Sequence, residues 1–236
     1  MGNGVGCDNT SSLPYIEVLR GRDGRDGRDG VPGPRGPQGQ KGEQGVAGPP
    51  GPRNGGVVYT RWGKSTCPSV AGTVLVYAGR TGGSFHSHTG GGANYLCMPG
   101  NPDYLQYRPG VQGQSYVFGT EYETQSGGPL SSINEHNVPC AVCYASLRVA
   151  VTMIPAKTQC PSTWTREYSG YLMSTYHTGN HYRTTFECVD KNPDSVPGSA
   201  PDTHGAVFYH VEASCNGMAC PPYDPQKELT CVVCTK

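Results

Sequence analysis

Gly21-Arg22-Asp23 opens a run that reads GRD GRD GRD GVP GPR GPQ GQK GEQ GVA GPP GPR and closes on Gly51-Pro52-Arg53, eleven triplets with glycine first in each. The phase breaks at Asn54, which stands where the next glycine belongs. Three polyproline-II strands can wind about one axis only if every third residue lacks a side chain there. Strict phase over 33 residues therefore predicts a collagen triple helix across 21–53, since a flexible glycine-rich linker has no reason to keep register. At about 3 Å per residue the rod is on the order of 100 Å long. Proline fills X positions at Pro34, Pro37, Pro49 and Pro52; Pro32 and Pro50 fill Y positions and are the candidates for 4-hydroxylation. The rod is short, rich in Arg and Asp and poor in imino acids, and an exposed pair such as Lys41 with Glu43 adds about 1 kcal/mol or less. Something outside it must register three chains. The tripeptide Arg-Gly-Asp never occurs, because Arg20-Gly21 is followed by Arg22, so the charges read as the solvated face of the rod.

The 236 residues carry 18 basic and 18 acidic side chains, which leaves no net field to recruit nucleic acid or an anionic membrane. No apolar stretch reaches the roughly 18 residues of a membrane span. Eleven cysteines beside a collagen repeat point to an oxidising, secreted, extracellular-matrix setting. Met1-Gly2-Asn3-Gly4-Val5-Gly6 is not apolar enough for a secretory leader, so the sequence reads as a processed form. Residues 1–20 hold the sole sequon, Asn9-Thr10-Ser11, which makes Asn9 a glycosylation candidate and the chain a candidate glycoprotein. Cys7 is the odd cysteine and is free to link chains beside the rod.

Residues 55–236 are one unit written twice. Cys97, Cys140 and Cys143 recur 91 residues later as Cys188, Cys231 and Cys234, and Cys67-Pro68-Ser69 recurs 93 residues later as Cys160-Pro161-Ser162. Their companions agree, Cys140-Ala-Val-Cys143 with Cys231-Val-Val-Cys234. A tandem duplication with subdomains at 55–151 and 152–236 follows. Short apolar runs, 56–60, 73–77, 146–151 and 205–209, alternate with Gly, Pro, Asn and Ser clusters, and no long 3.6-residue period occurs. The expected architecture is a short collagen triple helix followed by an all-β, disulfide-rich domain of two homologous subdomains.

The run Gly56-Val57-Val58-Tyr59-Thr60-Arg61-Trp62-Gly63, the Cys67-Pro68-Ser69 after it, Gly90-Gly91-Gly92-Ala93-Asn94-Tyr95-Leu96-Cys97 and Val138-Pro139-Cys140-Ala141-Val142-Cys143 resemble the short-chain, spongin-type collagens of invertebrates. More distantly, the doubled Cys-Pro-Ser opening and Cys-x-Val-Cys ending are similar to the non-collagenous C-terminal domain of type IV collagen, which trimerises chains and joins networks. The resemblance implies disulfides Cys67 with Cys143, Cys97 with Cys140, Cys160 with Cys234 and Cys188 with Cys231, leaving Cys215 with Cys220 as a short loop. The first half lacks a counterpart of that loop. A homotrimer is implied, with hexamers as the next level of assembly and matrix proteins or glycans as partners. Val57, Val58, Tyr59 and Trp62 are the expected trimer hub, because they follow the rod directly, where three chains are still close.

Other chemistries fit less well. His210-Val211-Glu212 follows Pro139-Cys140-x-x-Cys143 rather than preceding it, against a zinc deaminase order, and no Gly-x-Ser-x-Gly elbow occurs, so no enzyme is expected. A shift of 91 places His86 on His177; His86, His88, His177 and His181 form a candidate metal set on paired loops, though no cofactor is required. The rival class is a soluble, collagen-stalked recognition protein whose three heads act by avidity, with Asn94 and Tyr95 touching a glycan.

Overall fold

The computed structural model describes residues 24–43, 55–113, 115–199 and 202–236. The chain falls into two compact units, Met1–Pro49 and Pro50–Lys236. In the first, residues 24–43 carry no helix or strand and are exposed throughout. Cys7, Asn9 and Pro50 lie outside the described residues.

The second unit is all-β. Its strands are β1 (Val57–Trp62), β2 (Thr73–Gly83), β3 (Leu96–Pro99), β4 (Phe118–Tyr122), β5 (Pro139–Ala145), β6 (Val151–Pro155), β7 (Thr165–Ser174), β8 (Glu187–Asp190), β9 (Ala206–His210) and β10 (Thr230–Thr235). One mixed sheet runs β6-β10-β7-β8-β1-β5-β2-β4-β9, with β3 added to β2 and β9 also touching the end of β7. The duplication is visible as topology. In the first half β5 pairs antiparallel with β1 and β2, and β2 with β3 and β4; in the second, β10 pairs with β6 and β7, and β7 with β8 and β9. Two parallel contacts join the halves: Trp62 of β1 opposite Val189 of β8, and β4 alongside β9.

Each Cys-x-x-Cys lies on a strand that is buried on both faces, β5 reading Pro-Cys-Ala-Val-Cys-Tyr-Ala and β10 Thr-Cys-Val-Val-Cys-Thr. Residues three apart on a strand point to opposite sides. Cys140 accordingly enters one core cluster, with Trp62, Tyr122, Val189 and Phe208, while Cys143 enters another, with Tyr59, Tyr168 and Leu172. The sulfurs diverge, which excludes a shared metal ion and leads each to its own bridge. The bridges formed are Cys67–Cys143, Cys97–Cys140, Cys160–Cys234, Cys188–Cys231 and Cys215–Cys220, the pairs the resemblance implies.

Two expectations need correction. Residues 146–150 are a link rather than a strand: Leu147 and Val149 are 68% and 79% exposed, and the Val149 and Ala150 amides donate to the Lys236 carbonyl, tying the link to the chain's last residue. The division at 151/152 also falls inside β6, and both core clusters mix side chains from the two halves. The halves are repeats of pattern that share their cores.

Candidate functional site

The expected hub residues sit on β1, an interior strand between β5 and β8, and burial there removes two of the four. Tyr59 is 7% exposed and donates its hydroxyl to Glu167 Oε2 at 2.8 Å; Trp62 is 6% exposed and donates Nε1–H to Glu187 Oε2 at 2.9 Å. Both belong to the core. Val57 is half-buried, and Val58 alone stands out, 57% exposed. Its cross-strand partner Tyr144 is opposite Val74 of β2, 55% exposed, so Val58, Tyr144 and Val74 form a row on one face. Leu75, Val76, Leu147 and Val149 add to the exposed apolar surface, and Val149 lies against Gly55, two residues after the triplet repeat ends.

A buried carboxylate and a half-buried one hold this strand in place. Glu167, 4% exposed, accepts hydrogen bonds from Tyr59, from Thr73 Oγ1 at 3.1 Å and from Thr235 Oγ1 at 2.7 Å, so it joins β1, β2, β7 and β10. Glu187 accepts from Trp62 and from Thr185 Oγ1 at 2.8 Å, and burial raises its carboxyl above the ordinary glutamate value against those two bonds. A carboxyl whose folded pKa is raised stabilises the fold fully below its unfolded pKa and loses that contribution as pH climbs through the folded one. Stability measured by chemical unfolding should therefore fall as pH rises from the ordinary glutamate value upward, and Glu187→Gln should flatten that slope. An unchanged slope in the variant would remove Glu187 as its source.

The free strand edges are as specific as the core. Within the chain β8 packs beside β1, and Arg61 Nη2 meets Asp190 Oδ2 at 2.6 Å across that junction. Under the repeat shifts of 93 and 91, β1 corresponds to β6 and β8 to β3. Among the described residues β6 pairs with β10 alone and β3 with β2 alone. The second copy of the junction is not made within one chain. On the β3 side Leu96 and Met98 are 41% and 40% exposed, and on β6 the half-buried Ile154 and the exposed Pro155 stand where Arg61 and Trp62 stand in the first repeat.

The remaining sequence candidates separate. Tyr95 is 5% exposed; its hydroxyl donates to the Val207 carbonyl at 2.7 Å and lies 3.0 Å from Thr184 Oγ1, so it is a core side chain and not a ligand contact. Asn94 is exposed on the Gly-rich loop. That loop borders an open groove of about 390 Å³ lined by Phe85, His88, Gly90, Tyr116 and Phe118. The four histidines do not gather. His86 and His181 bring their rings to 4.8 Å, but His88 lies on Phe85 at 4.7 Å and His177 beside Tyr176 at 4.6 Å. Burial and the neighbouring His86 both lower the His181 pKa. The one group of three metal-ligating side chains within mutual reach among the described residues is Glu121, Asp202 and His204. Sequence reasoning missed it, because its members lie about 80 residues apart and come together only through the β4–β9 pairing.

No protein-family model matches the chain. Among the described residues no helix is long and apolar enough to cross a membrane.

Proposed function

We propose that this protein is a secreted, homotrimeric short-chain collagen that serves as a structural component of extracellular matrix, with its β domain registering the three chains. The observation that carries the proposal is the unmade junction: each chain presents β6 on one side and β3 on the other, the two halves of a contact it already makes once internally. A heterologous contact of this kind closes a ring when the rotation fits. The rod supplies the number three, and the exposed row Val58, Tyr144 and Val74 supplies apolar area for three copies to bury.

The repeat itself supports association. Among the described residues, apart from each glycine's two chain neighbours, no heavy atom lies within 4 Å of the Cβ position at Gly24, Gly27 or any later described glycine through Gly42, so no described contact within one chain demands glycine there. The demand comes from neighbouring strands at a shared axis. Five disulfides in the β domain favour an oxidising compartment.

Sedimentation of the full oxidised chain tests the proposal. A trimer mass is expected, together with a polyproline-II dichroism signal that melts at a concentration-dependent temperature. A monomer across the concentration range would overturn it. The groove bordered by Gly90 and Gly91 supports a second reading, a stalked recognition protein that binds glycans by avidity; it is favoured if the trimer stays soluble and binds immobilised glycans through that groove.

A further inference from the structure

Glu121 on β4 is fully buried, with 0% exposure. Its carboxylate accepts from the Thr203 amide at 3.1 Å, the Thr203 hydroxyl at 3.2 Å and the Gly205 amide at 3.2 Å, all in the segment that leads into β9. Asp202 and His204 flank Thr203 and point the same way: one ligand atom from each, together with a Glu121 oxygen, falls within 4.8 Å of the others, and His204 Nδ1 is 2.8 Å from Asp202 Oδ1. Ligands about 2 Å from a common ion lie at most about 4 Å apart, so a small rotation of the exposed Asp202 and His204 side chains would bring all three onto one ion. Among the described residues no lysine or arginine forms an ion pair with Glu121 or Asp202.

A second observation stands apart from this cluster. Asn137 is bridged directly opposite Glu121 on the adjoining antiparallel segment, and directly opposed residues share a face. Its side-chain carbonyl oxygen is buried and has no hydrogen-bond partner. A buried amide oxygen without a donor costs about 1–3 kcal/mol. A cation beside Glu121 would supply the missing partner.

We propose that Glu121, Asp202 and His204 bind a divalent first-row metal ion, with the Asn137 carbonyl as a further oxygen ligand. Two carboxylates and an imidazole suit an ion of zinc-like character better than calcium, which takes oxygen alone. Glu121 and Asn137 belong to the first repeat, Asp202 and His204 to the second. The ion would fasten the halves at the β4–β9 pairing, independently of how chains assemble.

Calorimetric titration of Zn2+ into the full oxidised chain provides the test. Wild type should bind one equivalent per chain, and its melting temperature should rise with Zn2+ as mass action requires. Asp202→Asn and His204→Ala, at exposed positions that leave the fold intact, should each weaken binding at least tenfold; Glu121→Gln should do the same wherever its disulfides form normally. The double variant His86→Ala/His181→Ala should bind as wild type does. No saturable site in the wild type, undiminished binding in both Asp202→Asn and His204→Ala, or loss of binding in the His86/His181 variant would each overturn the proposal.

Discussion

Gly170→Ala is expected to keep the β domain from reaching its oxidised native state. A Cβ at Gly170 would lie 1.7 Å from the Val189 carbonyl oxygen and 2.7 Å from its carbon, far inside any allowed contact, and the obstacle is backbone. β7 cannot retreat, because Gly170 faces Asp190 in the antiparallel ladder and Cys231 on its other side. β8 cannot retreat either, since Cys188 is bonded to Cys231. The first repeat contains the same arrangement: a Cβ at Gly79 would lie 1.9 Å from the Met98 carbonyl oxygen, with Cys97 bonded to Cys140. Overpacking against an immovable partner costs about 3 kcal/mol or more, a large share of a domain's stability. Secreted yield, disulfide mapping and the unfolding midpoint are the measurements. Gly119→Ala, where no atom lies within 4 Å of the new Cβ, is the control and should stay within about 0.5 kcal/mol of wild type. Equal behaviour of the two variants would refute the close approach at Gly170.

Met98→Asp and Ile154→Asp are expected to convert the proposed trimer to folded monomers. Met98 occupies the position of Val189, which sits opposite Trp62 in the junction made within the chain; Ile154 occupies that of Arg61. Within the chain that junction has an Arg61–Asp190 ion pair, whereas its counterpart offers Ile154 and Pro99, so association there would bury apolar side chains. A carboxylate placed in such an interface has no partner and must be desolvated. The trimer should weaken on the order of 100-fold, about 3 kcal/mol, for each change. The measurement is sedimentation in a Cys7→Ser background, so that no sulfur bond at Cys7 joins the chains, with dichroism confirming that the β domain remains folded. Trimers that persist in both variants would move the contact elsewhere, with Val58→Asp and Val74→Asp as the next positions to examine.

Glycine phase and the cysteine register are one-dimensional signals, and the cysteine register returns as paired strand topology in the two halves. Four cysteines repeated in order announce a duplication; which of them pair came only from the resemblance, and the bridges formed agree with it. Tyr59 and Trp62 illustrate the opposite case. They follow the rod and look available, yet β1 is covered by β5 and β8, and two glutamates from the second repeat take their polar atoms. Nothing local distinguishes them from Val58. Tyr95 was misplaced for the same reason: its Gly-rich surroundings look like an exposed loop, but its ring meets Phe208 at 4.3 Å in the shared core.

By itself, then, the sequence determined the strict triplet repeat, the all-β character, the oxidising chemistry and the internal duplication, since each depends on composition or on spacing along the chain. The tertiary structure alone decided that the repeats share cores, that β3 and β6 are left without the partner their counterparts have in an internal junction, and that Glu121, Asp202 and His204 meet at the β4–β9 pairing. Each of these depends on which strands lie side by side. That choice is made by burial summed over the whole domain, and no short stretch of the chain encodes it.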